Sequence, residues 1–171
     1  MDTVLHHKPK PSWTTSESPR GPRSRRYRFA WRRIPAHMRN FIAYHNPDAM
    51  GYPASEIDTL SVMTNKAPSH AQGSRVWLIT GEGRPRSFSL CGYFIVDAVE
   101  PSYDSRFQTC NRGNAGSLFD SMPCLDAEPW FDEFKRSQGN FSLRFQPITD
   151  QRFIAGLEEV ASRAHTSSGR Q

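Results

Sequence analysis

The sequence has no long hydrophobic run, and this absence excludes several classes of protein. None of its 171 residues belong to a run of roughly 18 consecutive apolar residues, the length that a membrane-spanning helix requires. The first 37 residues also lack the apolar core of a secretory signal peptide. We therefore expect a cytoplasmic protein with no membrane partner.

Cysteine is also scarce, and its spacing excludes two further classes. The three cysteines, Cys91, Cys110 and Cys124, are odd in number and show no Cys-x-x-Cys spacing, which argues against both a disulfide framework and a zinc site. Cys91 lies within an apolar run, where cysteine behaves as a small hydrophobic residue. We expect neither a bound metal nor a cofactor.

The positive charge of the chain is concentrated at one end. The net charge is +5, and residues 1–37 contribute nine basic and two acidic residues, or +7. The rest of the chain holds the other 13 of the 22 basic and 15 of the 17 acidic residues, which is −2. Overall charge is therefore no evidence that the folded part binds a phosphate backbone, and any basic footprint must come from local patches or from residues 1–37.

Residues 1–37 are rich in proline, serine and arginine, a composition that predicts a disordered basic arm. One hypothesis is that this arm contacts nucleic acid, with Tyr27, Phe29 and Trp31 as stacking residues. The alternative is a solvated tail or an over-extended start, because Met38 directly precedes the first expected strand. We expect one globular domain over residues 38–165 and a frayed tail over residues 166–171.

The stretch from Ser74 to Val99 is the densest β-branched and aromatic run in the chain. It predicts a β-hairpin with strands over residues 76–80 and 88–99, joined by the turn Gly-Glu-Gly-Arg-Pro-Arg. Both strands are apolar at nearly every position, so each face of this pair should contact other parts of the protein. Trp77, in the first strand, is expected to be a central packing residue.

The segments around the hairpin predict shorter elements. Residues 102–123 lack a clear period and are expected to form a long functional or mobile loop. Residues 141–146 alternate strictly between apolar and polar and predict a half-buried strand. The other expected elements are a strand over 40–45, a turn at Asn46-Pro47-Asp48, a helical turn over 55–58, a strand over 60–64, a helix from Asp126 to Gly139 and a closing helix over 151–164 capped by Asp150.

About five short strands with two or three helices indicate the α+β class. There is no alternation of strand and helix and no Gly-x-Gly-x-x-Gly motif, which argues against a doubly wound nucleotide-binding fold. We expect a small mixed β-sheet or a barrel, flanked by two or three helices.

Two local motifs resemble catalytic or binding motifs, and each has a simpler structural explanation. The Gly-rich turn at residues 81–86 lacks the Lys-Ser/Thr pair of a phosphate-binding loop, so a hairpin turn is the better interpretation. His45, Asn46 and Asp48 could form an acid–base or metal cluster, but turn capping explains them as well. The sequence therefore does not support an independent enzyme.

Aromatic and amide residues concentrate at the expected strand ends. A pocket that reads an extruded base needs aromatic faces for stacking and polar groups for the base edge; core aromatics and turn amides are the alternative explanation. Three arginines are candidates for the rim of a nucleic-acid site: Arg84, Arg86 and Arg144. The candidate ligand-binding residues are Tyr44, His45, Asn46, Tyr52, Phe88, Tyr93, Asn140 and Gln146.

Four segments in order, NFIAYHNPDAMGY, LSVMTNK, SRVWLITGEGRPRSFSLCGYFIVDAV and WFDEFKRSQGNFSLRFQPI, resemble a bacterial domain found alone or beside HNH-type nuclease modules. Its architecture is similar to the PUA-like superfamily, whose EVE, ASCH and YTH-type members bind nucleic acids, often through modified bases. The resemblance covers residues 38–164 and implies a PUA-like barrel, a nucleic-acid ligand and a nuclease partner. The chain contains no HNH module of its own, and no diagnostic binding triad can be transferred to it.

The leading functional hypothesis is a non-catalytic nucleic-acid-binding module that senses modified bases in a bacterial defence system. The second hypothesis is a protein-interaction or regulatory module that docks a partner through residues 102–123. A third is a small hydrolase built on His45 and Asp48. The direction in which the aromatic and amide side chains point should distinguish the first two.

Overall fold

A five-stranded mixed β-sheet forms the middle layer of the structure. The computed structural model describes residues 38–65, 71–142 and 145–167, all of which belong to one compact unit. Short 3-10 turns lie at Ala54–Glu56 and Gly139–Phe141. The described strands and α-helices are β1 (Asn40–His45), α1 (Pro47–Met50), β2 (Ser61–Thr64), β3 (Arg75–Glu82), β4 (Ser87–Ile95), β5 (Ala98–Pro101), β6 (Thr109–Arg112), β7 (Ala115–Leu118), α2 (Phe131–Ser137), β8 (Phe145–Ile148) and α3 (Gln151–Ser167).

The middle sheet has the strand order β7-β4-β3-β1-β8. β1 and β3 are parallel, whereas the other neighbouring pairs are antiparallel. Side chains alternate across the sheet, so Val76 and Leu78 of β3 point to one face while Trp77 and Ile79 point to the other. All four are buried, which confirms that both faces of the hairpin are covered.

The helices α2 and α3 cover one face of the middle sheet. The stripe expected on α3 is buried there, with Phe153, Leu157, Val160 and Ala164 in the same apolar cluster as Trp77. The Asp150 carboxylate accepts the backbone N–H of Arg152 at 2.9 Å, which is the cap expected at the start of this helix. The helix continues to Ser167, beyond the end expected at residue 164 and into the segment expected to fray.

A second sheet, with the order β2-β6-β5, covers the opposite face. Val62 of β2 and Val99 of β5 pack against the cluster formed by Phe41 and Ala43 of β1 with their neighbours. The α+β class is confirmed. In the described part of the chain, the strands form two separate sheets and no closed barrel.

The expected loop over residues 102–123 is wrong in part, because this segment holds β6 and β7. Its sequence is poor in apolar residues, so neither strand has an amphipathic period of its own. β7 instead depends on close approach to β4: an ideal Cβ on Gly116 would lie 2.2 Å from the Tyr93 carbonyl oxygen. Pairing with a neighbouring strand, rather than local sequence, forms these strands.

The expected strand over residues 141–146 is also wrong for its first part. Asn140 and Phe141 have positive φ angles of 53° and 61°, which are incompatible with a strand, and β8 begins only at Phe145. Phe141 and Phe145 are buried on opposite faces of the middle sheet, so their alternation in sequence does not reflect one strand. The helix expected from Asp126 begins at Phe131, after a series of turns.

Several expectations concern residues outside the described ranges. These residues are the whole of the expected basic arm over 1–37, Arg144 and the end of the chain after Ser167. Among the helices that the structure describes, none is long and apolar enough to cross a membrane.

Candidate functional site

A cleft of about 400 Å³ lies where β1 ends, between the middle sheet and β2 of the second sheet. A smaller cleft of about 180 Å³ adjoins it, and the two share Tyr44, Met50, Val62 and Met63. We call the two together the β1–β2 cleft. Its other principal lining residues are His45, Asn46, Tyr52, Glu56, Asp58, Tyr103, Arg106 and Phe107.

The turn after β1 positions the first group of cleft residues. The side-chain oxygen of Asn46 accepts the backbone N–H of Asp48 at 3.2 Å and so caps α1, which has Pro47 at its start. Gly51, with a φ of 85°, ends the helix, and its N–H donates to the Pro47 carbonyl at 2.8 Å. Turn capping is therefore one role of this motif, and it fixes the end of β1 beside the cleft.

Tyr44 is held in place from two sides. Its hydroxyl accepts a hydrogen bond from Arg86 Nη1 at 2.7 Å, while the same guanidinium pairs with Asp48 at 3.2 Å. Its ring stacks on Phe141 with centroids 5.6 Å apart. Burial raises the pKa of the Tyr44 phenol, an effect that the nearby Arg86 partly opposes. The Tyr44 ring is thus fixed on the helix side of the middle sheet, in the cluster that also holds Phe88 and Phe141, while the residue itself borders the cleft at the end of β1.

His45 and Tyr52 form the floor of the larger cleft. His45 is buried, and its Nε2 lies 3.0 Å from the Tyr52 carbonyl oxygen; because a carbonyl only accepts, Nε2 carries the proton. The two rings lie 5.0 Å apart. Burial, together with Tyr103 and Asp58, raises the pKa of Tyr52. In the described residues, no hydrogen bond or ion pair joins His45 to Asp48, so the structure does not assemble the acid–base cluster that was the alternative to turn capping.

The rim of the cleft comes from the segment between β5 and β6. Tyr103 is 76% exposed and lines the larger cleft. Arg106 lines the smaller cleft beside Phe107 and pairs with Asp104 at 2.7 Å, which lowers the pKa of that carboxyl group. Sequence reasoning missed these residues individually, although it expected this segment to be functional.

The remaining charge in the larger cleft is negative. Glu56 and Asp58 both line it and are exposed. No ion pair of either carboxylate is found within the described ranges. The cleft therefore combines tyrosine rings and two acceptor carboxylates with one arginine whose charge is already matched by Asp104.

Four of the eight candidate ligand-binding residues lie outside the cleft. Phe88 and Tyr93 pack against the helix-side core, and burial raises the pKa of the Tyr93 phenol. Gln146 donates to the Gln138 carbonyl at 3.3 Å. Asn140 is exposed in a tight turn. The structure brings together Tyr44, His45, Asn46 and Tyr52 and not these four.

The expected arginine rim is only partly in reach of the cleft. Arg84 and Arg86 line a separate cleft of about 390 Å³ at the hairpin tip, which is also bordered by Pro47 and Asp48. Arg86 does not line the β1–β2 cleft; it donates to the Tyr44 hydroxyl, whose ring packs on the helix side of the middle sheet. Glu82 of the same tip accepts the backbone N–H of Ala54 at 3.0 Å, which anchors the loop before β2 to the hairpin.

None of the three cysteines, all of which the structure describes, lines the β1–β2 cleft. Cys91, Cys110 and Cys124 are free thiols, and burial raises the pKa of Cys91 to about 12, so it stays protonated. The part of the chain that the structure describes contains no group of three or more His, Cys, Asp or Glu residues placed to hold a metal ion. The lining of the β1–β2 cleft is suited to binding through stacking and hydrogen bonds.

Comparison with known proteins gave no match: no family model fits the sequence, and no curated protein and no solved structure is significantly similar to it.

Proposed function

We propose that the protein is a non-catalytic nucleic-acid-binding module that holds one unpaired or modified base in the β1–β2 cleft. In this proposal the module senses modified bases in a bacterial defence system and works beside a nuclease partner, as its resemblance to PUA-like domains implies.

One observation carries the proposal: tyrosine rings and hydrogen-bonding groups converge on a single cleft. Tyr52 and Tyr103 both line the larger cleft, and every base offers a face on which such rings stack. Reading an extruded base also needs polar groups that meet its edge. Asn46 in the smaller cleft and the Glu56 and Asp58 carboxylates in the larger one supply acceptors for base amino groups.

The second candidate, a protein-interaction module, is favoured by the 76% exposure of Tyr103 on the segment between β5 and β6. Exposed tyrosines are common anchors of protein interfaces. This candidate predicts that a protein partner, and no oligonucleotide, occupies the cleft. The hydrolase hypothesis is not proposed, because His45 and Asp48 bond to different partners.

Tyr103 gives the cleanest test, because its exposed ring makes little contribution to the core. We would measure the affinity of the full chain for a short single-stranded oligonucleotide and for the same oligonucleotide with a central abasic site. The affinity for the intact oligonucleotide divided by the affinity for the abasic one reports base binding alone, since both probes carry the same phosphates. Loss of one stacked base corresponds to about 1–3 kcal/mol, so Tyr103→Ala should reduce this ratio at least fivefold, to roughly one.

Tyr103→Phe is the matched control, because it keeps the ring and removes only the hydroxyl. It should keep the wild-type ratio, and both variants should have the wild-type Tm. The oligonucleotide series would include methylated cytosine and methylated adenine. If the wild-type ratio is close to one for every base, the nucleic-acid proposal is wrong and the protein-interaction candidate replaces it.

A further inference from the structure

Among the residues that the structure describes, the strand β2 has a hydrogen-bonded neighbour on one side only. It is the edge strand of the second sheet, whose order is β2-β6-β5. All four of its residues, Ser61–Thr64, line the β1–β2 cleft. The free edge of β2 therefore opens into the cleft that we propose as the base-binding site.

The register of β2 shows which of its backbone groups point into the cleft. Gly113 donates its N–H to the Leu60 carbonyl at 2.8 Å, so these two residues form a hydrogen-bonded pair across β2 and β6. Bonded and non-bonded pairs alternate along antiparallel strands. Val62 therefore bonds to β6, whereas Ser61 and Met63 direct their N–H and C=O groups towards the free edge.

The opposite side of β6 gives the same assignment independently. Ser102 donates its N–H to the Gln108 carbonyl at 3.1 Å, which places residue 108 in a bonded pair with the β5 side. By alternation, Cys110 and Arg112 also bond to β5, opposite Glu100 and Ala98 in the register. The odd-numbered residues of β6 are then the ones that bond to β2, as the first assignment requires.

An extended residue at a free edge presents an N–H donor beside a C=O acceptor, both pointing the same way. The Watson–Crick edge of every base likewise presents a donor beside an acceptor. We propose that the outward backbone groups of Ser61 and Met63 form the surface that reads the base edge, while the tyrosine rings hold its faces. This inference rests on the proposed function and assigns the hydrogen bonding of that same site to the β2 backbone.

The geometry favours a base over an extended peptide as the occupant. A peptide that extends a sheet pairs with a run of outward-facing residues, and β2 offers only two, Ser61 and Met63. A base needs only one such residue, and Tyr52 and Tyr103 line the same cleft for stacking. The single base is therefore the occupant that uses both the edge and the rings.

Met63→Pro tests the inference, because proline removes the outward N–H without removing a bond of the β2–β6 ladder. Proline is tolerated on an edge strand when its nitrogen faces away from the sheet. Met63→Ala is the matched control, since it loses the same side chain and keeps the N–H. In the full chain, Met63→Pro should lower the ratio of base to abasic affinity at least about fivefold, and Met63→Ala should change it less than about twofold.

Each outcome either supports or overturns the inference. An unchanged ratio of base to abasic affinity in Met63→Pro overturns the inference, as does an equal loss in Met63→Pro and Met63→Ala. In either case a high wild-type ratio still supports the proposed function. If the wild-type ratio of base to abasic affinity is near one, both the proposed function and this inference are wrong. If Met63→Pro has a lowered Tm, amide hydrogen exchange of the wild type decides the question. The Ser61 and Met63 amides should be protected by the single-stranded oligonucleotide and not by its abasic form, whereas protection by an added extended peptide alone overturns the inference.

Discussion

At the scale of single residues, Trp77 shows how the structure separates packing residues from ligand-binding residues of the same type. Its ring is 1% exposed, and its indole N–H donates to Asn40 Oδ1 at 3.0 Å. The Arg75 guanidinium lies 5.0 Å from the ring centroid, and the Tyr93 ring lies 5.3 Å away. Each end of this side chain has a partner within the protein, whereas the Tyr103 ring at the cleft is 76% exposed.

We therefore expect Trp77→Ala to reduce the free energy of unfolding by roughly 3–5 kcal/mol, the usual cost of truncating a buried aromatic residue. Denaturant unfolding would measure this change. Trp77→Phe is a useful comparison, because it keeps most of the packing but leaves Asn40 Oδ1 without its donor, at a cost of about 1–3 kcal/mol. Near wild-type stability of Trp77→Ala, combined with loss of base binding, would instead place Trp77 in the ligand site.

At the scale of elements, the contact between α3 and Trp130 depends on a glycine in the middle of a helix. An ideal Cβ on Gly156 would lie 2.5 Å from the Trp130 ring. Trp130 is half-buried against the helix-side core and packs on Phe134 and Phe153 at 5.8 and 6.4 Å. Close approach of the helix to this ring therefore explains a residue that helix propensity alone disfavours.

In Gly156→Ala, the higher helix propensity of alanine opposes the steric clash of its methyl group with Trp130. Helix propensity alone would stabilise α3 by about 1 kcal/mol, whereas forcing a methyl group into a packed contact costs about 1–3 kcal/mol. We expect net destabilisation, measured as a lower Tm. Ala155→Gly, at the exposed neighbouring position, gives the propensity contribution separately. A stabilised Gly156→Ala variant would mean that Trp130 moves freely and that the contact does not hold α3.

The elements that could be predicted from sequence are those with a strong apolar pattern of their own. The hairpin of β3 and β4 and the helix α3 carry dense or periodic apolar residues, and their main parts were predicted correctly. The strand expected over residues 88–99 is wrong at its end, because β4 stops at Ile95 and residues 98–101 form β5 in the second sheet. β6 and β7 carry residues such as Thr109, Asn111 and Ser117, so pairing with neighbouring strands forms them and no local pattern reveals them. Phe141 and Phe145 alternate correctly but occupy different elements, because the positive φ angles at Asn140 and Phe141 reverse the chain.

At the scale of the whole molecule, the candidate site could be predicted only where its residues are close in sequence. Tyr44, His45, Asn46 and Tyr52 surround one turn, so a local pattern of aromatic and amide residues was enough to single them out. Met63 and Tyr103 come from separate segments that the packing of the second sheet on the middle sheet brings to the same cleft. The proximity of these two residues depends on the topology of the fold, which the sequence pattern did not determine.

The charge of the chain is unevenly distributed, and a basic segment can bind nucleic acid through its phosphates alone. Such binding must be distinguished from base binding in the cleft. Residues 1–37 carry +7 and the remainder carries −2. Attraction of a basic segment to phosphates falls steeply with salt, by about one power of salt concentration for each phosphate neutralised. Stacking and hydrogen bonding in the cleft should depend much less on salt. The two contributions can therefore be separated by removing residues 1–37.

We expect the chain without residues 1–37 to lose most of the salt dependence of its total affinity and to keep the wild-type ratio of base to abasic affinity. Its Tm should change by less than about 4 °C, because a segment with so few apolar residues contributes little to a core. Titrations at several salt concentrations and a thermal melt would measure both quantities. A larger fall in Tm would mean that residues 1–37 pack against the domain. Loss of the ratio itself would place base recognition in that segment and not in the β1–β2 cleft.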